Sequence, residues 1–258
     1  MQDPTSEVSI LIPTYNRGHL IRNAIESSLM QTYKCEIIVC DHGSNDETQK
    51  ICETYGKSIK YLRREIDYGI HFCELESLLA SNGKYIHFCF DDDWMHPEFI
   101  SQCINLMNDS IGVVFTGFKN IKLSRANKEY LNWSQIDILD SKILPSWNVV
   151  PKVMSRVISP SRALVRKKDA IRCMYISTNI MSDSYYNGVG PDWLITAYPL
   201  FHYGKCGYIK NELACFGVHE KSITCDVVNK SEAKTINSFK AAYRGAKLYL
   251  VISFLVKI

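Results

Sequence analysis

Asp91, Asp92 and Asp93 stand side by side, directly after the apolar run Lys84–Phe90 and directly before Trp94. Three adjacent carboxylates repel one another, and a divalent cation relieves that repulsion. Carboxylate oxygens suit Mg²⁺ or Mn²⁺ rather than zinc, and such an ion completes its shell with phosphate oxygens. The plainer reading of the three acids is a solvated turn at a helix start. A fourth acid, Asp41, follows a second apolar run, Glu36–Cys40, and opens the string Asp41-His42-Gly43-Ser44. An acid there can accept hydrogen bonds from a nucleoside base or ribose; the plainer alternative is a turn with Ser44 as a helix cap. Neither GxGxxG nor GxxxxGK[ST] occurs, which removes a dinucleotide fingerprint and a P-loop.

Alternating elements must hold these acids. Val8–Pro13, Glu36–Cys40, Ile59–Leu62, Lys84–Phe90 and Ile111–Phe118 read as buried strands. Helical patterns lie between them, at His19–Gln31, from a capping box at Ser44–Glu47 toward Tyr55, at His71–Ser81 with Gly83 as its cap, and at Pro97–Met107. This rhythm predicts an α/β fold, a Rossmann-like, mostly parallel central sheet with helices on both faces. In such sheets ligands bind beyond the carboxyl ends of the strands, which singles out Thr14–Arg17, Asp41–Asp46 and Asp91–Trp94. Beyond Phe118 the pattern breaks. Lys119–Pro151 is polar and irregular. Val157–Val165 reads as a strand, Lys167–Ile176 as a helix, Pro191–Ala197 as a helix start, Gly207–Gly217 as a strand pair, and Ser231 to the end as a long helix.

The composition is that of a globular chain: 258 residues, 46% hydrophobic and 22% charged. Its net charge of +3 is too small to argue for nucleic acid. None of the 10 cysteines forms a CxxC pair, so neither a disulfide nor a zinc framework is expected from spacing. Met1–Glu7 lacks the regions of a secretory leader, and the expected location is cytoplasmic or peripheral on the inner face of the cell membrane.

Three segments in order, SILIPTYNR (Ser9–Arg17), EIIVCDHGSNDET (Glu36–Thr48) and GKYIHFCFDDDW (Gly83–Trp94) followed by Pro97, resemble the family-2 glycosyltransferases of GT-A fold. The resemblance implies inverting transfer from a nucleotide-sugar, most readily a UDP-sugar, with Mn²⁺ or Mg²⁺. It places Pro13, Thr14 and Tyr15 along the nucleobase and Asp41 on the base. Arg64 or Asp67 approaches the nucleoside. Asp91 and Asp92 resemble the ribose- and metal-contacting acids, with Asp93 bordering metal and sugar; within this register Asp92 is the first metal ligand and Asp93 the second choice. Gly190-Pro191-Asp192-Trp193 resembles the family's acidic pair at a helix start, with Pro191 in place of glutamate. Asp192 is then the base that takes the acceptor proton, and Asp183 its rival. Phe216–Ser222 resembles a late motif whose histidine, here His219, approaches the metal or diphosphate. Lys221, Arg156 and Arg162 are further candidates for phosphate or acceptor contact.

The family analogy also implies a glycan or lipid-linked acceptor, no nucleic acid, and a setting in bacterial surface-polysaccharide synthesis. Many members carry acids where His42 and Phe90 stand. Those departures, with Pro191, keep open a non-catalytic nucleotide- or carbohydrate-binding module on the same fold. The expected organisation is a GT-A domain over 1–230, with a nucleotide-binding half at 1–118 and an acceptor-side half at 119–230, then an amphipathic helix at 231–258. Within 237–258, Lys240, Arg244 and Lys247 are expected on one face, beside an apolar surface of Phe239, Tyr243, Leu250 and Phe254. Such a helix suits a membrane surface, or packing on the catalytic core.

Overall fold

Val8–Thr14 is buried at every position, as a strand covered on both faces must be. A computed structural model describes residues 6–123, 141–155, 158–175, 189–219 and 233–256. In it β1 (Val8–Thr14), β2 (Glu36–His42), β3 (Lys60–Arg64) and β4 (Tyr85–Phe88) alternate with α1 (Ile21–Leu29), α2 (Thr48–Glu53) and α3 (Ile70–Ala80). β1 pairs in parallel with β2 and β4, and β2 with β3. Then come β5 (Asp93–Met95), α4 (Phe99–Leu106), β6 (Ile111–Lys122), β7 (Ser141–Pro145), α5 (Ser146–Ser155), β8 (Ala163–Arg166), α6 (Lys167–Met174), α7 (Pro191–His202), β9 (Lys205–Val218) and α8 (Ala233–Leu255). The sheet order is β3-β2-β1-β4-β8-β6-β9-β5, with β7 also on β9. It is parallel from β3 to β4 and mixed beyond: β8 runs antiparallel to both β4 and β6, and β5 and β7 run antiparallel to β9.

The pleat of β1 divides two cores. Val8, Ile10 and Ile12 face α1, α2 and α4, where Ile25, Cys52 and Phe99 are buried. Leu11 faces the opposite side, with Leu78 of α3, Cys173 of α6, and Trp193 and Leu194 of α7. Period-two alternation in a doubly covered strand thus feeds both layers. Trp193 is core, its indole N–H donating to Val153 O at 2.9 Å.

Several local expectations are corrected. The capping box does not form: Ser44 Oγ accepts from the Asn16 amide at 2.8 Å, while Asp46 Oδ1 accepts from the Thr48 amide at 2.9 Å. Gly83 is no helix cap. A Cβ there would meet Ser9 N at 2.6 Å, so it is glycine because the chain crosses close to β1. Asp93 lies in β5 rather than in a turn, and Gly207–Gly217 belongs to one strand, β9, not to a pair. The nominally irregular middle holds β7 and α5; its polar stretch 124–140 lies outside the described residues, as do Arg156, Asp183, Lys221 and Ser231.

The C-terminal helix is also arranged differently from its expected faces. Ala242, Ala246 and Leu250 are fully buried, Tyr243 and Phe254 turn toward α7 and its end, and Lys247 lies over the Trp193 ring at 5.7 Å. Lys247 therefore leaves the basic face, and of the expected apolar surface Tyr243 and Leu250 meet the core while Phe254 is 41% exposed. A second stripe, Leu248, Val251, Ile252, Leu255 and Val256, is exposed and follows exposed Lys240 and Arg244. No helix among the described residues is long and apolar enough to cross a membrane.

Candidate active site

The loops after β1 and β2 are laced together. Besides Asn16 N to Ser44, the Asn45 amide donates to Asn16 Oδ1 at 2.9 Å, Arg17 N to Thr48 Oγ1 at 3.2 Å, and Gly18 N to Asp46 Oδ2 at 3.0 Å. Asn16 adopts φ 53, a left-handed conformation that asparagine tolerates. Pro13 is buried, whereas Tyr15 projects from the loop with 44% of its surface exposed. Asp41 is fully buried at the strand end. Its carboxylate accepts from Tyr61 OH at 2.6 Å and from the Ser44 amide at 3.0 Å, and Arg63 Nε stands 4.0 Å away.

At the next strand end Thr14 Oγ1 donates to Asp91 Oδ2 at 2.8 Å. The Asp91 carboxyl is pushed up to about 7, first by burial and then by the Asp92 charge. Asp93 is also held well above the carboxylate range, by burial and then by Asp92; it accepts from the Gly217 amide at 3.3 Å. Gly217 is obligatory for this approach, because a Cβ on it would lie 2.1 Å from Asp92 O.

Asp92 meets β9's end. Its Oδ2 lies 3.1 Å from His219 Nε2, and Arg17 Nη1 lies 2.8 Å from the same nitrogen and 3.9 Å from Asp92 Oδ2. With Arg17 donating to Nε2, the single lone pair of that nitrogen is taken up by the guanidinium, so cation ligation by His219 would displace this hydrogen bond.

Asp192 occupies a different environment, the first turn of α7. Oδ1 accepts from the Gly190 and Trp193 amides at 2.9 and 2.7 Å, and Oδ2 from Tyr243 OH at 2.9 Å. Gly190 has φ 108, open to glycine and strained for other residues, which lets its amide turn back to the acid. Burial pushes the Asp192 carboxyl up to about 6, against the pull of these hydrogen bonds. The Glu74 carboxyl of α3, buried and with an unpartnered Oε2, is pushed well above its ordinary range by burial and then by the Asp192 charge.

Residues 9–167 match the model of "Glycosyl transferase family 2". The chain belongs to that family. It is 34% identical over 166 residues to an uncharacterised glycosyltransferase of Rickettsia prowazekii, covering 58% of this chain and 52% of that one, so it spans about half that relative's length. It is 26% identical over 200 residues to WfgD of Escherichia coli, a UDP-Glc:α-D-GlcNAc-diphosphoundecaprenol β-1,3-glucosyltransferase, covering 75% and 77% of the two chains. In fold it is similar to Staphylococcus aureus TarS solved with UDP-GlcNAc, with TM-score 0.64, 16% identity, and 84% and 60% of the two chains covered. It is also similar to the mannosyltransferase PcManGT of Pyrobaculum calidifontis in complex with GDP-Man and Mn²⁺, with TM-score 0.58, 15% identity, and 97% and 71% covered. The mixed α/β sheet is thus a GT-A architecture.

Within this family-2 chain the structure gathers Thr14, Asp91, Asp92, Asp93 and His219 at one sheet edge, with Asp41 at the neighbouring strand end. Arg64 is placed elsewhere. Its guanidinium bonds to Glu76 and lies 5.8 Å over the Tyr68 ring, whereas Arg63, one residue earlier and on the other face, stands beside Asp41. A one-residue step along a strand reverses its face, which strand period alone could have signalled. Asp67 accepts from the Gly69 amide at 2.7 Å. Arg162 stacks over Phe118 at 4.6 Å, and Phe118 in turn stacks on Phe216, the β9 partner of Asp93. The sequence singled out Arg17 only within a strand-end loop and Tyr243 only within an apolar helix surface, neither with a site role, and Glu74 not at all.

Proposed function

We propose that this chain is an inverting, metal-dependent glycosyltransferase that moves a sugar from a UDP-sugar to a hydroxyl of a glycan or lipid-linked acceptor. Residues 1–118 would serve the donor and 119–230 the acceptor. The observation that carries the reading is the meeting of Asp92, His219 and Arg17 at one strand-end edge. Two ligand atoms at neighbouring corners of an octahedron with bonds of about 2.1 Å are about 3 Å apart, close to the 3.1 Å between Asp92 Oδ2 and His219 Nε2. A carboxylate and an imidazole suit Mn²⁺, with Mg²⁺ the alternative. Asp92 and His219 would hold the ion, and Asp93 would border it. Bound there, it supplies positive charge to the leaving diphosphate.

The chain's own groups then divide the work. Asp41 accepts from the nucleobase, oriented by Tyr61 and the Ser44 amide, with Pro13 and Tyr15 forming the adjoining wall. Asp91, oriented by Thr14, meets the ribose. Arg17 adds fixed charge beside the diphosphate. Asp192 takes the proton of the attacking acceptor hydroxyl, and its backbone hydrogen bonds fix the direction of the carboxylate. UDP is favoured because WfgD is named for a UDP-glucose donor and TarS was solved with UDP-GlcNAc.

The acceptor side carries the second support. Leu248, Val251, Ile252 and Leu255 of α8, with Val256 just beyond it, follow i, i+3, i+4, i+7, i+8 spacing as an exposed apolar stripe, flanked by half-exposed Phe254 and led into by exposed Lys240 and Arg244. This pattern suits the interface of an anionic membrane, where a lipid-linked acceptor is held. The decisive experiment offers a panel of nucleotide-sugars with Mn²⁺ and measures nucleoside diphosphate release. Release from a UDP-sugar that EDTA abolishes is expected. Tight UDP binding with no release from any donor, with or without acceptor extract, would favour the non-catalytic binding module.

A further inference from the structure

Four side chains that sugar transfer leaves unused meet between β2 and α3. Cys40 and His42 alternate onto one face of the strand, and Cys73 and Glu76 lie one turn apart on the helix that covers it. Cys40, His42 and Cys73 are all buried, and one ligand atom from each lies within 4.8 Å of the other two. Glu76 Oε2 stands 3.4 Å from His42 Nε2 and 3.8 Å from Cys40 Sγ. His42 is only 1% exposed; its Nδ1 has no hydrogen-bond partner, and its Nε2 has only the 3.4 Å contact with Glu76. Unpaired polar atoms in a dry interior cost free energy, and ligation removes that cost.

Two thiols, an imidazole and a carboxylate are the donors of a four-coordinate zinc site. With Zn–S bonds of about 2.3 Å and Zn–N bonds of about 2.0–2.1 Å, tetrahedral ligand atoms are about 3.3–3.8 Å apart. The two Glu76 contacts already have such separations; the Cys–His–Cys trio must close by up to about 1.3 Å, and the Glu76 carboxylate must also swing toward Cys73 Sγ. We propose that Cys40, His42, Cys73 and Glu76 bind a Zn²⁺-type cation that clamps α3 to the end of β2. Binding exchanges the two thiol protons for the metal: Zn²⁺ and two S–H groups give a dithiolate complex and two protons released to solvent, with no redox change. Arg64, on the solvent side, bonds the Glu76 carboxylate and would orient it as an outer partner. The soft sulfur set separates this site from the oxygen-rich Asp92 edge, which suits harder ions. His42 directly follows Asp41, whose carboxylate points to the other face of β2, so the clamp would hold the strand end that presents Asp41. The inference stands apart from the sugar-transfer reading.

The test titrates Co²⁺ into the full chain, purified under reductant and stripped with a chelator. One equivalent is expected to produce a thiolate-to-cobalt charge-transfer band and the intense visible bands of tetrahedral cobalt, both erased by Zn²⁺. Asp92→Asn and Cys103→Ser should leave that spectrum unchanged, since Cys103 is a buried thiol outside the cluster. Cys73→Ser should weaken binding on the order of 100-fold. A spectrum of octahedral cobalt alone, with no sulfur band, would overturn the proposal, as would a sulfur band undiminished in Cys73→Ser. Should Cys73→Ser fail to fold, the wild-type cobalt spectrum decides.

Discussion

The donor edge and the Asp192 pocket use carboxylates in opposite surroundings. At the donor edge, Asp91, Asp92 and Asp93 crowd where β4 ends and β5 begins, faced by Arg17 and His219. Repulsion and burial raise two of the three acids, so the edge is short of positive charge. At α7 a single acid is satisfied by two amides and a tyrosine, beside a carboxyl, Glu74, that burial and then the Asp192 charge push well above its ordinary range. In the proposed reaction one region takes up a cation, and the other holds one basic oxygen pair at a chosen angle. They also differ in how they are built. Strand ends of a parallel sheet come to a common edge by topology, whereas Tyr243 reaches Asp192 only because α8 lies on α7.

The comparison breaks first if Asp192 is not the base. Asp192→Asn should lower turnover by on the order of 10²–10⁴ and leave UDP-sugar binding unchanged by calorimetry. Lost donor affinity with normal turnover would move Asp192 to the donor side. Asp92→Asn should cost about 10²–10³ in transfer rate, with an unaltered far-ultraviolet circular dichroism spectrum and weakened Mn²⁺ dependence; activity within a few-fold of wild type at saturating Mn²⁺ would remove it from the edge. On the acceptor side, Ile252→Glu with Leu255→Glu should cut sedimentation with anionic vesicles by on the order of 10–100-fold. Wild-type binding should fall as salt rises. Wild-type protein left in the supernatant under every condition would mean that the stripe faces something other than lipid.

Two milder changes sharpen the contrast. As the proposed base, Asp192 would act in its charged form, and burial pushes its carboxyl up to about 6. The transfer rate should therefore fall as pH drops through that value and be flat above it. Tyr243 stabilises the charged form, so Tyr243→Phe should move this limb up by about one pH unit; an unmoved limb would assign it to another group. Burial and then the Asp192 charge push the Glu74 carboxyl up, toward the neutral form that Glu74→Gln mimics. Turnover near neutral pH should change less than about twofold, and a tenfold loss would show that Glu74 exchanges a proton during the reaction.

The strand–helix rhythm from Val8 to Phe118 and the acids that follow β1, β2 and β4 were legible in the residues themselves. Strand burial and strand ends are local properties, written in runs of apolar side chains and in what comes next. Asp192 was reached through resemblance to the family's acidic pair at a helix start, and Pro191 and Asp192 do lie in the first turn of α7. Folding alone decided which distant residues would meet. His219 reaches Asp92 across 127 positions because β9 pairs with β5, and Gly217 lets the two backbones approach. Arg63 rather than Arg64 stands beside Asp41 because strand register selects the face. In α8 the sequence pattern offered a basic face and an apolar face, but contact with α7 chose which residues to cover and left another stripe outside. The cysteines show the limit most directly: no spacing in the chain announces a metal site, and Cys40 and His42 gain Cys73 and Glu76 as neighbours only when α3 is laid across β2, since ligand geometry depends on distances that chain separation does not encode.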